Sequence, residues 1–495
     1  MSDYKTSILS AINILNTSDL DTSKPVFEKL SKDFPQEFEP YYYLGIIESR
    51  KNNFQTAVFY MQKALNIIPF YQGYKSLAEF YIFLKNKKNA VKNIKMALIY
   101  NPYDEKLKEI LYKLSPDTDF IDKTDICING IYEHSQDCPC VKYIKAYDSK
   151  TIERTPPNYI KKQLTERQNQ LVTSTIEQYR TNNIKEGFVT EIPNGIVFAK
   201  QSDQTHFITS DNKMLADMID KNGPQLSVNS LPDIFCPCDN LLVLSSCWGG
   251  NFYHWLTWTV PRLQMILNAG YKLQDFDKIL INYVGFKFQK ELLDLLNIPR
   301  SKIIGTLEKG VVLKAKKIVT ASLPEFLYTP EIVVKSLRNF FLKPEYLNND
   351  MPKRIYLSRN KSKSRYVVNE NELSEFLKSY DFTTIYAEDL TFSEQVQYFA
   401  NADIILSQHG AGLTNLAFCK PETKVIEIYN EKMKASLDTA YWRISSDLNL
   451  KHYLMFGEPV GEGASANMHI DISRLKEIFE VAEIKSSEKV NLNKV

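Results

Sequence analysis

Small and apolar side chains recur at a fixed interval through the first hundred residues. Leu44, Gly45, Ala57, Met61, Ala64 and Pro69 are followed 33 residues later by Leu77, Ala78, Ala90, Ile94, Ala97 and Pro102, and Tyr41 and Tyr74 share that spacing. About 34 residues earlier, Ala11, Phe27, Leu30 and Pro35 fill the matching slots. Small residues at fixed places let paired helices approach closely, and each Pro ends the second helix of a pair. This predicts stacked helical hairpins over residues 3–103, closed by a helix over 104–114.

From residue 354 the pattern changes to short apolar runs alternating with helical segments. RIYLS (354–358), TTIYA (383–387), DIILSQ (403–408) and KVIEIY (424–429) read as strands. Asn369 with Glu372, and Thr391 with Glu394, read as capping boxes that open helices. LTNLAFC, after the loop His409–Gly412, reads as a further helix. Residues 186–340 alternate likewise. LLVLSS (241–246) precedes a helix over NFYHWLTWTVPRLQMILNA bent at Pro261, and KILINY (278–283), FQKELLDLLN (288–297) and VVLKAKKIV (311–319) follow. Alternating strands and helices predict doubly wound parallel sheets, with ligands beyond the carboxyl ends of the strands and a cleft between two such lobes.

The expected architecture is multidomain. Residues 1–115 form an all-α repeat domain and 116–185 a connector, broken at Thr155-Pro156-Pro157 and helical over 159–180. Residues 186–345 and 346–495 form two Rossmann-like α/β lobes. The repeats resemble tetratricopeptide repeats, about three copies. Such repeats stack into a concave protein-binding surface, so partner binding or self-association is expected of them rather than chemistry. The alternative is a hairpin array without the groove.

Composition removes several classes of function. The 495 residues carry 61 Lys+Arg against 59 Asp+Glu, a net charge of +2, with no like-charge block suited to nucleic acid. With 44% hydrophobic and 12% aromatic residues, disorder is not expected. The longest uncharged run, between Asp239 and Arg262, contains too many polar residues for a lipid-facing helix. The N-terminus reads as no signal peptide. Seven cysteines fit a reducing cytosol, so a cytoplasmic location is expected, or one peripheral to a membrane-bound assembly.

Glycine is scarce, 17 residues, so its clusters stand out. Ser407-Gln408-His409-Gly410-Ala411-Gly412-Leu413-Thr414-Asn415 lies between an apolar strand and a helix. Gly410 and Gly412 permit close backbone approach, and the helix start at Leu413 offers N–H groups and a positive dipole end to a diphosphate. Arg359, Lys361, Lys363 and Arg365 follow another strand of that sheet, and the two arginines are the favoured phosphate ligands. A tight turn and a solvated basic loop are the plainer alternatives. Glu427, among apolar neighbours, is suited to ribose hydroxyls, unless it is an edge residue facing water. The second feature is Trp248-Gly249-Gly250-Asn251-Phe252-Tyr253-His254-Trp255, with His254 in the first turn of a helix and Arg262 eight residues on, nearly the same face. A histidine there is either a general base or structural.

Three D-x-D triplets lie in unsuitable places for metal-dependent transfer: Asp19–Asp21 in the repeats, Asp117–Asp119 in the connector, and Asp275–Asp277 before a strand. Gly461–Ala466 fits G-x-G-x-x-A but lacks the helix a dinucleotide site needs. Cys138-Pro139-Cys140 and Cys236-Pro237-Cys238 could hold a structural zinc, form a disulfide, or stay as free thiols, the last being the expected reading.

NFYHWLTWTVPRL, RIYLSRNKSKSRYVVNENEL and LSQHGAGLTNLAFCKPETKVIEIY, in this order, closely resemble glycosyltransferase family 61, over about residues 186–460. The resemblance implies a GT-B fold, a nucleotide-sugar donor (most simply a UDP-sugar), an inverting mechanism and no required metal or cofactor. It implies a hexosyl- or pentosyltransferase acting on a glycan or glycoprotein hydroxyl. Eukaryotic relatives transfer xylose or N-acetylglucosamine to glycoproteins, and bacterial ones are associated with surface polysaccharides. It makes Arg359, Arg365, His409, Gly410, Ala411, Gly412, Leu413, Thr414 and Asn415 the donor side and His254 a motif residue of the acceptor side; by their own chemistry and place Glu427 joins the donor side, and Asn251, Trp255 and Arg262 the acceptor side. His254 or His409 supplies the base. The family often has an acidic residue four after this His, where Trp258 stands, so a non-catalytic scaffold is the alternative function.

Overall fold

A computed structural model describes residues 2–116, 120–121, 128–200, 205–219, 234–306, 310–323, 331–347, 350–430, 437–463 and 465–487. The chain forms two compact units. The first comprises residues 1–144, 188–250 and 265–323, and the second 145–187, 251–264 and 324–495.

The first unit opens with three helix pairs: α1 (Ser2–Thr17) and α2 (Leu20–Asp33), α3 (Glu39–Arg50) and α4 (Phe54–Ile67), α5 (Tyr71–Phe83) and α6 (Lys87–Tyr100). Helix α7 (Glu105–Leu114) follows, capped by Asp104, whose side chain accepts from Leu107 N. The turns inside the second and third pairs place Asn52 (φ 60°) and Lys85 (φ 55°) in the left-handed region, again 33 residues apart. Gly45 lets α3 and α4 close up, since a Cβ there would sit 3.3 Å from the Ala57 carbonyl. Asp19, first of the D-x-D triplets, is the N-cap of α2.

Four parallel strands follow: β1 (Ile234–Val243), β2 (Lys278–Ile281), β3 (Ile303–Gly305) and β4 (Val311–Ala321), in the spatial order β3-β2-β1-β4. Strands Gly187–Pro193 and Ile196–Ala199 extend the sheet antiparallel to β4. Leu241–Val243 and Ile279–Ile281 are fully buried, as expected where both faces are covered. The cover on one face is the repeat array. One apolar core runs from Ala57 and Met61 through Ile94, Leu98 and Leu107 to Leu241, Leu280 and Ile318. Tyr100 Oη accepts from Gly305 N at 3.2 Å, and Tyr283 Oη donates to the Ile67 carbonyl. Strand β1 ends at Val243, so Ser245 and Ser246 lie beyond it. Asp277, in the third triplet, accepts from Asn240 N instead of facing a ligand. The triplet Asp117–Asp119 lies outside the described residues.

The second unit is built on β5 (Arg354–Ser358), β6 (Thr383–Tyr386), β7 (Ile404–Gln408), β8 (Lys424–Asn430), β9 (Lys451–Val460) and β10 (Asn467–His469). Their order is β6-β5-β7-β8-β9-β10, parallel except for β10. Strand order reverses at β5, so the switch point lies between β5 and β7, where ligands of such sheets bind. Thr391 caps helix Phe392–Asn401 through a complete capping box with Glu394. The box expected at Asn369 does not form: its side chain pairs with the backbone of Ile470 through both amide atoms, at 2.9 Å each. The connector helix covers Glu166–Tyr179 rather than 159–180, because Thr165 and Gln168 form a capping box there. Gly461–Ala466 leads to strand β10, though Ala464 is outside the described residues. Among the described residues, no helix is long and apolar enough to cross a membrane.

Candidate functional site

The carboxyl ends of β5 and β7 bring Arg359 and the His409–Gly412 loop together. A Cβ on Gly410 would lie 2.0 Å from Arg359 Nη1, so the glycine is what admits the guanidinium against the backbone. Gly410 is extended (φ 176°), so space rather than backbone strain requires glycine there. A Cβ on Gly412 would meet Leu357 at 2.8 Å. Arg359 Nη2 donates to Ser362 Oγ at 3.1 Å. Burial and the neighbouring Arg365 both lower its guanidinium pKa, which describes a partly desolvated pair of cations. Arg365 is itself held at φ 59°, a left-handed conformation rare outside glycine. Lys361 is engaged with Asp389, and Lys363 is exposed.

The segment after Gly410 is a 3₁₀ helix, Ala411–Phe418, rather than the α-helix expected. Leu413 N already donates to Gly410 O at 2.9 Å, so its N–H is not at the open end; those of Ala411 and Gly412 are. Thr414 Oγ1 donates to Ala411 O at 2.7 Å and the side-chain amide of buried Asn415 donates to Gln395 at 2.9 Å, so both side chains help hold the helix. Arg338 Nη1 donates to the carbonyls of Ala417 and Cys419 and satisfies the other end.

Behind this loop lies a buried polar chain. Glu427, fully buried in the interior strand β8, is not an edge residue. His409 Nδ1 lies 2.5 Å from Glu427 Oε1, and His452 Nε2, from β9, lies 3.0 Å from Oε2. Ser445 Oγ is 2.8 Å from His452 Nδ1, and Asp438 is 3.8 Å from His409 Nε2. Burial raises the Glu427 carboxyl, but the interactions with His409 and His452 outweigh it and hold the pKa below its ordinary value.

Residues 251–264 belong to this same unit. Asn251 is an N-cap, accepting from Tyr253 N at 2.8 Å, and the turn Phe252–His254 packs on the 3₁₀ helix. Trp255–Thr259 then form a π turn, followed by helix Val260–Asn268. The break expected at Pro261 is thus a π turn just before it. That turn takes up one extra residue, so the eight-residue spacing from His254 to Arg262 acts as about seven α-helical steps and keeps the two on nearly the same face. Trp255 and Arg262 are buried, and Trp258 stacks 4.5 Å from the half-buried His254. Tyr441 bridges the two segments, its ring 4.9 Å from His409 and 5.9 Å from Tyr253.

His452, Asp438 and Tyr441 were not singled out from the sequence. His452 had a signal, since it stands in an otherwise apolar strand as Glu427 does in the next. Asp438 and Tyr441 had none, because they lie on the connection after β8.

Residues 252–426 match the family model Glycosyltransferase 61. The EGF domain-specific O-linked N-acetylglucosamine transferase of Drosophila melanogaster is 41% identical over 78 residues, 15% of this chain and 15% of the fly protein. The Gallus gallus protein of that name is 35% identical over 96 residues, 18% of each chain. The chain therefore aligns with less than a fifth of the length of these relatives. Among solved structures, a tetratricopeptide repeat protein from Parabacteroides merdae is 19% identical with a TM-score of 0.22, covering 23% of this chain and 46% of that one.

Proposed function

We propose that the protein, whose residues 252–426 match the family model Glycosyltransferase 61, is an inverting glycosyltransferase of GT-B type that moves a sugar from a UDP-sugar to a glycan or protein hydroxyl without a catalytic metal. The observation that carries this reading is the Arg359 guanidinium lying over Gly410 at the switch point of the second sheet. Arg359, Arg365 and the open N–H groups of Ala411 and Gly412 form a positive pole for the leaving diphosphate. His409, backed by Glu427, belongs to that pole. Inversion puts the base on the other side of the anomeric carbon, which assigns deprotonation of the acceptor hydroxyl to His254. Partner or acceptor recruitment falls to the repeats. The relatives' names make UDP-N-acetylglucosamine the first donor to test.

Trp258, standing where the family often has an acid, favours the second reading, a scaffold with a non-catalytic transferase region. One experiment separates the two. Melting is followed with UDP and UDP-sugars in EDTA, beside turnover with and without acceptor. Ligand at a hundred times Kd stabilises by about 2.7 kcal/mol, a rise of several degrees. Arg359→Ala and Gly410→Ala are expected to abolish the rise. His254→Ala is expected to keep it while turnover falls at least a hundredfold. No shift with any nucleotide refutes the donor site, and unchanged turnover in His254→Ala removes His254 as the base.

A further inference from the structure

The first unit contains a second cluster of chemistry-bearing side chains that sugar transfer does not use. Cys138 and Cys140 flank Pro139 in a tight turn, with their sulfurs 2.9 Å apart. Asp211 Oδ1 lies 3.5 Å from Cys140 Sγ. One ligand atom from each of the three residues falls within 4.8 Å of the others. Cys238, from the other Cys-Pro-Cys motif, is not in this group, and the side chain of Cys236 lies outside the described residues. The four-thiol arrangement conceivable from the sequence is therefore not the one assembled.

We propose that Cys138, Cys140 and Asp211 bind one zinc ion, with solvent in the fourth position. Three observations carry it. The ligands are of the right kind: two thiolates and a carboxylate suit a borderline-soft divalent ion, and three protein ligands plus solvent is an established zinc arrangement. The scaffold is held before the ion arrives. Ser135 donates to Asp217 from both N and Oγ, at 2.6 and 2.5 Å, and Ile131–Tyr132 pairs with Met214–Leu215, so the cysteine turn is tied to the hairpin that carries Asp211. Asp211 is oriented from behind, accepting from Tyr132 Oη at 2.7 Å and from Thr209 Oγ1. The charges also close. Two thiolates and a carboxylate carry three negative charges; the ion cancels two, and Lys213, 3.7 Å from Asp211, cancels the third.

Zinc–sulfur bonds of about 2.3 Å in tetrahedral geometry put the sulfurs roughly 3.8 Å apart. They must therefore separate by on the order of 1 Å, which rotation of the half-buried Cys140 supplies. Binding replaces the two thiol protons, which leave to solvent, and no redox change occurs. The ion would pin the turn over 133–141 to the hairpin over 206–215.

The test uses the full chain, reduced and stripped of metal, and titrated with cobalt(II) and then zinc(II). Expected is one equivalent of cobalt bound with release of two protons and an intense sulfur-to-cobalt charge-transfer band, which zinc then displaces with no further proton release. Cys140→Ser, at a half-exposed position, is expected to lose the band. Asp211→Asn is expected to bind at least tenfold more weakly, with its circular dichroism unchanged. The proposal fails if the reduced chain gives no band, if the band survives in Cys140→Ser, or if Cys138 and Cys140 are found as a disulfide that forms in preference to metal binding. Cys140→Ser also serves as the control for EDTA in the donor-binding experiment, since it has no ion at this site to lose.

Discussion

Glu427 carries its charge with no exposed surface. A buried carboxylate survives only when interactions with the ionised form exceed the desolvation cost, and the His409 hydrogen bond with the His452 ring nitrogen 3.0 Å away supplies them. The consequence is a defined acid sensitivity. Because the folded pKa lies below the unfolded value of about 4.3, the stability that Glu427 contributes is fully present above that pH. It is lost as pH falls through the folded value. Glu427→Gln keeps the shape and one acceptor but removes the charge, so it is expected to cost about 1–3 kcal/mol at pH 7. The gap in melting temperature between wild type and Glu427→Gln should hold above about pH 4.3 and close below it. A gap that stays constant from pH 7 down to pH 3 would show that folding does not lower the pKa of Glu427. At this scale the sequence revealed individual residues but not their partners. Arg359 and His409 were recognisable because each follows an apolar strand. The pairing of Glu427 with His452 depends on the register of β8 against β9, in which Val425 sits beside His452, and register is a tertiary fact.

At the scale of elements, local signals succeeded where the chain supplied its own partners and failed where distant segments did. Thr391 and Glu394 make their predicted box because nothing competes for them. Asn369 is taken by Ile470, 101 residues away. The π turn at Trp255–Thr259 had no signal either, because a π turn is an insertion relative to the helical period. Such turns recur at functional sites, and this one sets where the chain before it points. Removing one residue restores an α-helical period and rotates the preceding segment by about 100°. That would take Tyr253 away from Tyr441, and Phe252 away from Phe392, 6.1 Å from it. Deleting Thr257 is therefore expected to leave far-ultraviolet circular dichroism nearly unchanged while turnover falls at least a hundredfold. Thr257→Ala loses only a hydrogen bond to the Tyr253 carbonyl and should lose less than tenfold. If the deletion variant turned over normally, the π turn would have no part in placing His254.

At the scale of the whole molecule, the 33-residue period disclosed the repeats but not what they cover. The clue was in α6, where Met96, Ala97, Leu98, Ile99 and Tyr100 are all buried in succession. A helix buried all round is a core element, not the rim of a detachable module. The apolar interior divides accordingly. Ile8, Ala11, Leu15, Phe27, Leu30, Leu44 and Ile47 form a cluster of their own. From Ala57 onward the repeat core and the core of the first sheet are one. Truncations should follow that division. A chain of residues 37–495 loses one helix pair and uncovers Leu44 and Ile47; it is expected to stay soluble and monomeric with a modestly lower melting temperature. A chain of residues 116–495 strips α3–α7 as well and uncovers Leu241, Val243, Leu280 and Ile318, an apolar face too large for a soluble monomer. It is expected to aggregate or to bind hydrophobic dye. Size-exclusion chromatography and thermal melting of the two chains decide the matter. A monomeric 116–495 chain that melts like the intact protein would mean that the repeats are an appended binding module and that the shared core contributes nothing to folding.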